Sequence, residues 1–193
     1  FARWTILLLS LGVTGYGLFA YFVLEPGSTV HPDMRAAFAA HPGRILTHVG
    51  FSALALLVGP LQFFPALRAR RRLRRALGYV YFTGVIGGGI AGFCTAFIAH
   101  GGLVSSFGFG LLALLWLWTG LAALQAARRR DFAGHERWAV RSFALTFAAV
   151  TLRIYLPGFM ILGLPFAEFY PAVAWLCWVP NVLFSECFLL ARD

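Results

Sequence analysis

The sequence predicts an all-α polytopic membrane protein, a bundle of six transmembrane helices forming one domain over residues 1–193 with both termini cytoplasmic. Three observations carry that expectation. Of the 193 residues, 60% are apolar and only 12% charged, more apolar surface than a soluble core of this size hides, given its surface-to-volume ratio. Six stretches are each long enough to cross about 30 Å of hydrocarbon, which takes about 20 helical residues. The basic residues, all arginine, collect in alternate connections between those stretches.

The spans are 4–24, 45–66, 77–99, 104–127, 138–162 and 171–190. The first, Trp4 to Leu24, outruns the apolar region of a secretory signal and has no small-residue cleavage site, so it is expected to be a retained span. The loop 25–44, EPGSTVHPDMRAAFAAHPGR, opens on turn residues. Within it Asp33 is the expected cap of a short helix MRAAFAA, which His41-Pro42-Gly43 ends. The 2–3 connection carries Arg68, Arg70, Arg71, Arg72, Arg74 and Arg75, and the 4–5 connection carries Arg128, Arg129, Arg130 and Arg137. The 1–2 loop has only Arg35 and Arg44, so the positive-inside rule places the arginine-rich connections in the cytoplasm. Trp4, Trp138, Tyr155 and Tyr170 fall near the expected interfaces.

The net charge of +9 does not argue for nucleic acid, because the arginines flank spans, where they report topology and anionic headgroups. Cys94, Cys177 and Cys187 lie in apolar spans without zinc or redox spacing and are read as packing residues. Gly87, Gly89 and Gly92 in GGGIAG match the dinucleotide pattern G-x-G-x-x-G, but mid-span and with no preceding strand. Gly84, Gly88 and Gly92 recur every four residues instead, which lets a neighbouring helix approach closely or, as the alternative, leaves room for a flat ring.

With this topology the histidines sort by depth. His48 and His100 lie at the outer ends of spans 2 and 3, His31 and His41 in the outer loop, and His135 on the cytoplasmic side. Span 2 carries a one-face stripe of small or polar residues, His48, Ser52, Ala55, Gly59 and Gln62. Span 5 repeats the idea with His135, Ser142, Thr146, Ala149 and Arg153, if its helix begins near Asp131. Arg153 lies about 18 Å along the helix from Arg141 and cannot share its interface. It either reaches outward, or pairs with Glu168, or holds a propionate, a quinone oxygen or another anion. Glu186, near the cytoplasmic end of span 6, is placed to meet an arginine, and Asn181 to repair the kink made by Pro180.

Three chemistries fit the outer histidines. His48 and His100 can ligate a haem b, with Arg153 and His135 as further cofactor-binding candidates. Copper or zinc can instead gather His48, His100, His31 and His41. Proton or quinone handling is the third. The plainer reading has no cofactor: helix-end imidazoles bonded to carbonyls. No H-E-x-x-H, nucleophile elbow or phosphate loop occurs, so hydrolysis and phosphoryl transfer lack support and no catalytic residue is assigned.

His48 with the following GPLQF (59–63), the arginine run into LGYVY (77–81), AHGGL (99–103), GFG (108–110), RRRDFAGHERWAVRS (128–142) and Arg153 together resemble a family of bacterial multi-pass membrane proteins catalogued as a domain of unknown function. The resemblance spans roughly residues 45–155. It implies a multi-pass helical protein of the bacterial inner (cytoplasmic) membrane. It also implies an outer histidine pair matching His48 and His100, and an inner pair of which His135 remains. Arg74 stands where the family pattern has the other inner histidine, and arginine does not ligate haem iron. One pair per membrane face is laid out like the two-haem transmembrane cytochromes b, an analogy of layout. The functional expectation is therefore a redox protein binding haem b or a metal near the outer face, with the bilayer and a quinone as partners. A non-catalytic accessory or assembly subunit of a larger respiratory or photosynthetic complex is the alternative. A carrier of a small lipophile or ion is weaker, because no inverted repeat or paired broken helices are legible.

Overall fold

The computed structural model describes residues 2–25 and 27–191, so Phe1 and residues 192–193, where the termini were assigned a side, lie outside it. Six stretches are helical, long and apolar enough to cross a membrane: Ala2–Phe22, Pro42–Phe63, Arg71–Ala96, Gly102–Arg128, Phe132–Ile161 and Phe166–Leu189. No strand occurs among the described residues. Each expected span is thus found, displaced by a few residues at its ends. The chain divides into two compact units, Phe1–Gly92 and Phe93–Asp193.

In the first unit α1 (Ala2–Phe22) packs along the third helix, α3 (Pro42–Val58), and the 3₁₀ turn Pro60–Phe63 that follows it. Trp4 meets Phe64 edge-on at 5.0 Å, and the Phe22 ring reaches Gly50 at the other end, so the two helices run antiparallel. The face α1 buries is small, with Ser10, Thr14, Gly17 and Ala20. The loop helix α2 (Pro32–Ala40) has His31 as its N-cap, with Nδ1 accepting from the Asp33 N–H at 3.4 Å. This corrects the expected Asp33 cap: the acidic side chain sits inside the first turn, where it favours the helix dipole instead. His41 ends α2, and Pro42 opens α3 with the fixed φ that suits a first helical position.

A short turn, α4 (Pro65–Arg68), leads into α5 (Arg71–Ala96), whose first turn already contains part of the arginine run expected as a loop. The glycine face of α5 lies on α3. A side-chain carbon at Gly84 would stand 2.8 Å from Ala55 N and Phe51 O, and one at Gly87 would stand 2.5 Å from the Phe51 ring. The glycine run is therefore a helix-packing surface, as its spacing predicted.

In the second unit α6 (Gly102–Arg128) and α7 (Phe132–Thr146) form a helical hairpin. Its turn is a Schellman motif: Arg130 N–H donates to Ala127 O at 3.1 Å, and Asp131 N–H donates to Ala126 O at 3.0 Å. Arg130 takes φ of 62° to close it, a left-handed conformation that costs a side-chain-bearing residue about 1–2 kcal/mol. Asp131 then caps α7, its Oδ1 accepting from Gly134 N–H at 2.8 Å, so the helix does begin at Asp131 as the span 5 stripe required.

Both remaining spans are interrupted. Span 5 breaks at Phe147 between α7 and α8 (Ala148–Ile161), and span 6 at Cys177 and Trp178 between α9 (Phe166–Leu176) and α10 (Val179–Leu190). The reading that no paired broken helices occur is therefore corrected. Pro180 explains the second break, since it lacks an N–H and crowds the preceding turn. At the first, Thr146 Oγ1 donates to Ser142 O at 3.0 Å and Thr151 Oγ1 to Phe147 O at 3.3 Å, hydroxyls competing with the helix's own bonding. Asn181 joins the two breaks. Its amide nitrogen lies 3.0 Å from Cys177 O, 3.0 Å from Thr151 Oγ1 and 3.3 Å from Ala144 O. It thus serves carbonyls beside both interruptions, repairing the Pro180 kink as expected.

Glycines on α5 give a paired test. Gly78→Ala, with nothing within 4 Å of the new methyl, is expected to stabilise by about 1 kcal/mol through helix propensity. Gly84→Ala, pressed on α3 backbone, is expected to destabilise by about 1–3 kcal/mol. Thermal melting of the purified variants in one detergent should move in opposite directions.

Candidate functional site

His48 sits two turns into α3, half-buried. Its Nδ1–H donates to the Gly88 carbonyl of α5 at 2.9 Å. That reach depends on Gly92, where a side-chain carbon would stand 2.8 Å from His48 Nδ1 and 2.9 Å from Cε1. The glycine face thus has a second role beyond helix packing: it admits the Nδ1–Cε1 edge of an imidazole close to α5. Ser52 Oγ lies 3.5 Å from the same nitrogen, at the outer limit of a hydrogen bond. With Nδ1 carrying the proton, Nε2 carries the lone pair, the form that ligates a metal or accepts a proton.

His135 repeats the arrangement in the second unit. From the first turn of α7 its Nδ1–H donates to the Ala123 carbonyl of α6 at 2.8 Å. Two histidines assigned to opposite membrane faces by the arginine pattern are thus held in the same tautomer by the same kind of acceptor.

His100 belongs to the second unit, in the turn between α5 and α6. Its ring packs against Phe166 at 5.3 Å and Tyr170 at 5.9 Å. Tyr170 is buried, 5% exposed, and contacts Phe166 at 4.8 Å. It is therefore part of an aromatic wall beside His100. His31 and His41 flank α2 as its caps. His31 Nδ1 also lies 3.5 Å from Asp33 Oδ2. Among the described residues no three His, Cys, Asp or Glu side chains gather as a metal-ligand set.

Arg153 donates from Nη1 to Ala149 O at 3.1 Å, one turn back along α8. The stripe it ends is inward-facing, since Ser142 is 0% exposed and Thr146 5%. Thr146 also accepts from Trp116 Nε1 at 2.9 Å. Glu186 meets Arg141 in a two-pronged pair, Nε to Oε1 at 2.6 Å and Nη2 to Oε2 at 2.7 Å, while the guanidinium lies 4.8 Å over the Trp138 ring. The arginine partner anticipated for Glu186 is therefore Arg141.

What sequence reasoning missed at these sites is mostly backbone. The carbonyls of Gly88 and Ala123 carry no side-chain signature, and the hint was a glycine run that fits either close helix packing or room for a ring. Phe166 and Tyr170 near His100 were hidden among 20 phenylalanines and 6 tyrosines.

Nitrogen-15 spectra of the histidine-labelled protein should show His48 and His135 as Nδ1–H tautomers at neutral pH. Gly92→Ala is expected to displace the His48 signal and leave that of His135 unchanged. An unmoved His48 signal would show that Gly92 does not seat the ring.

No curated protein and no solved structure matches the chain. One family model does match, over residues 45–189, which takes in spans 2 to 6 and extends past the segment on which the resemblance was first seen. The chain therefore belongs to the family described as "Predicted membrane protein (DUF2306)".

Proposed function

We propose that this integral membrane protein is a redox protein of the bacterial inner membrane, in which His48 ligates a haem b toward the outer face. The observation that carries the reading is the His48 imidazole itself: Nδ1–H fixed on the Gly88 carbonyl at 2.9 Å and the ring seated over Gly92. Ligating histidines characteristically give their other N–H to a carbonyl or carboxylate, which sets the tautomer and raises the basicity of the donor nitrogen. The residues present fit such a group: with Nδ1–H on the Gly88 carbonyl, the His48 imidazole carries its lone pair on Nε2, the form that ligates haem iron.

In this reading His48 would hold the haem iron through Nε2, and His100 is the sequence's candidate for the second ligand. Arg153 balances an anionic propionate. Haem b, when bound, supplies one-electron transfer. On the inner face His135 is oriented in the same way, but Arg74 replaces its partner, so this chain is read as carrying one haem and not two. The arginine-rich connections 68–75 and 128–137 then face the cytoplasm.

The test is the spectrum of protein purified from a haem-replete host, oxidised and then reduced with dithionite. About one haem b per chain is expected. His48→Ala and His100→Ala should each abolish the reduced-minus-oxidised signal without unfolding the helices, and His135→Ala should leave it. A colourless protein sinks the haem reading. If the colourless protein then holds stoichiometric copper or zinc, the metal reading of the same histidines takes its place. A fixed set of co-purifying subunits would instead support an accessory role.

A further inference from the structure

We propose that the turn Arg128–Arg130 is a binding site for the phosphate group of an anionic glycerophospholipid. It joins two stretches that are each long and apolar enough to cross a membrane, Gly102–Arg128 and Phe132–Ile161, so it emerges where headgroups lie. All three arginines are exposed, and among the described residues none of their guanidinium groups has an ion pair or hydrogen-bond partner. The one carboxylate in the turn, Asp131, is turned away, accepting from Gly134 N–H at 2.8 Å.

Arg130 separates this site from an ordinary cluster of flanking positive charge. It occupies the left-handed position of the Schellman motif, with φ of 62°, where glycine is the residue that closes the turn without strain. The two hydrogen bonds of the Schellman motif are backbone to backbone and need no side chain at 130. Whatever the Arg130 side chain contributes therefore comes from outside the fold. Arg128 and Arg129 complement the carbonyl end of α6, but Arg130 lies beyond that helix. A planar guanidinium presents paired donors that match two phosphate oxygens, and in an anionic lipid, unlike phosphatidylcholine, no headgroup cation offsets the phosphate charge.

The experiment compares the intact wild type with Arg130→Gly and Arg130→Lys in nanodiscs of phosphatidylcholine alone, and of phosphatidylcholine with phosphatidylglycerol. In pure phosphatidylcholine, Arg130→Gly should melt about 2–4 °C higher than the wild type, because the strained residue is gone. Phosphatidylglycerol should raise the wild-type midpoint more than that of Arg130→Gly. Bound phosphatidylglycerol, counted by native mass spectrometry, should show about fivefold weaker retention in Arg130→Gly. Arg130→Lys should keep the strain but lose part of the retention. Equal phosphatidylglycerol shifts and equal retention in wild type and Arg130→Gly would overturn the proposal. So would millimolar inorganic phosphate reproducing the wild-type shift in pure phosphatidylcholine, since the site would then take a free anion and not a lipid. None of these readouts depends on whether haem is bound.

Discussion

Hydrocarbon offers no water to a carbonyl or an imidazole, so a polar group at membrane depth gains by finding a partner within the chain. That constraint explains why the polar side chains in these spans so often bond to backbone carbonyls. His48 bonds to Gly88 O, His135 to Ala123 O, Arg153 to Ala149 O, and the Asn181 amide reaches Cys177 O and Ala144 O. A carbonyl already accepting its helix bond has a second lone pair, which makes the helix surface a supply of acceptors. The two interrupted spans depend on this most. Each break frees carbonyls, and Asn181 ties the freed groups of one to those of the other.

Reaching a carbonyl on a neighbouring helix requires close approach, and here glycine decides what is reached. On α5 the residues at 84, 87 and 92 leave room for the Ala55 backbone, the Phe51 ring and the His48 ring in turn. A side chain at any of them would occupy a place the partner already fills. The same economy of space appears where α6 meets α9, since a carbon at Gly108 would lie 2.9 Å from Ala174 O. The charged pair Arg141–Glu186 follows a different rule. It neutralises two charges that the bilayer would otherwise disfavour, and the Trp138 face shields the guanidinium.

Chemically, the helix contacts select a tautomer. A histidine with Nδ1–H on a carbonyl keeps a fixed ring and presents Nε2 as a base or ligand. That property belongs equally to His48 and His135.

By itself the sequence determined what depends on local composition and period. Hydropathy placed six spans within a few residues, the four-residue glycine spacing marked a packing face, and the Pro180–Asn181 pair marked a kink with its repair. The partner anticipated for Glu186 was present as well. Tertiary structure decided what depends on atoms without a signature: which carbonyl each imidazole meets, that His31 and not Asp33 caps α2, that Tyr170 is walled in beside His100, and that span 5 breaks at Phe147 with no proline or glycine at that position. The physical reason is common to all four. Transfer to lipid is summed over a window of side chains and can be read along the chain, whereas a hydrogen bond between helices depends on angles and separations that exist only once the helices are packed.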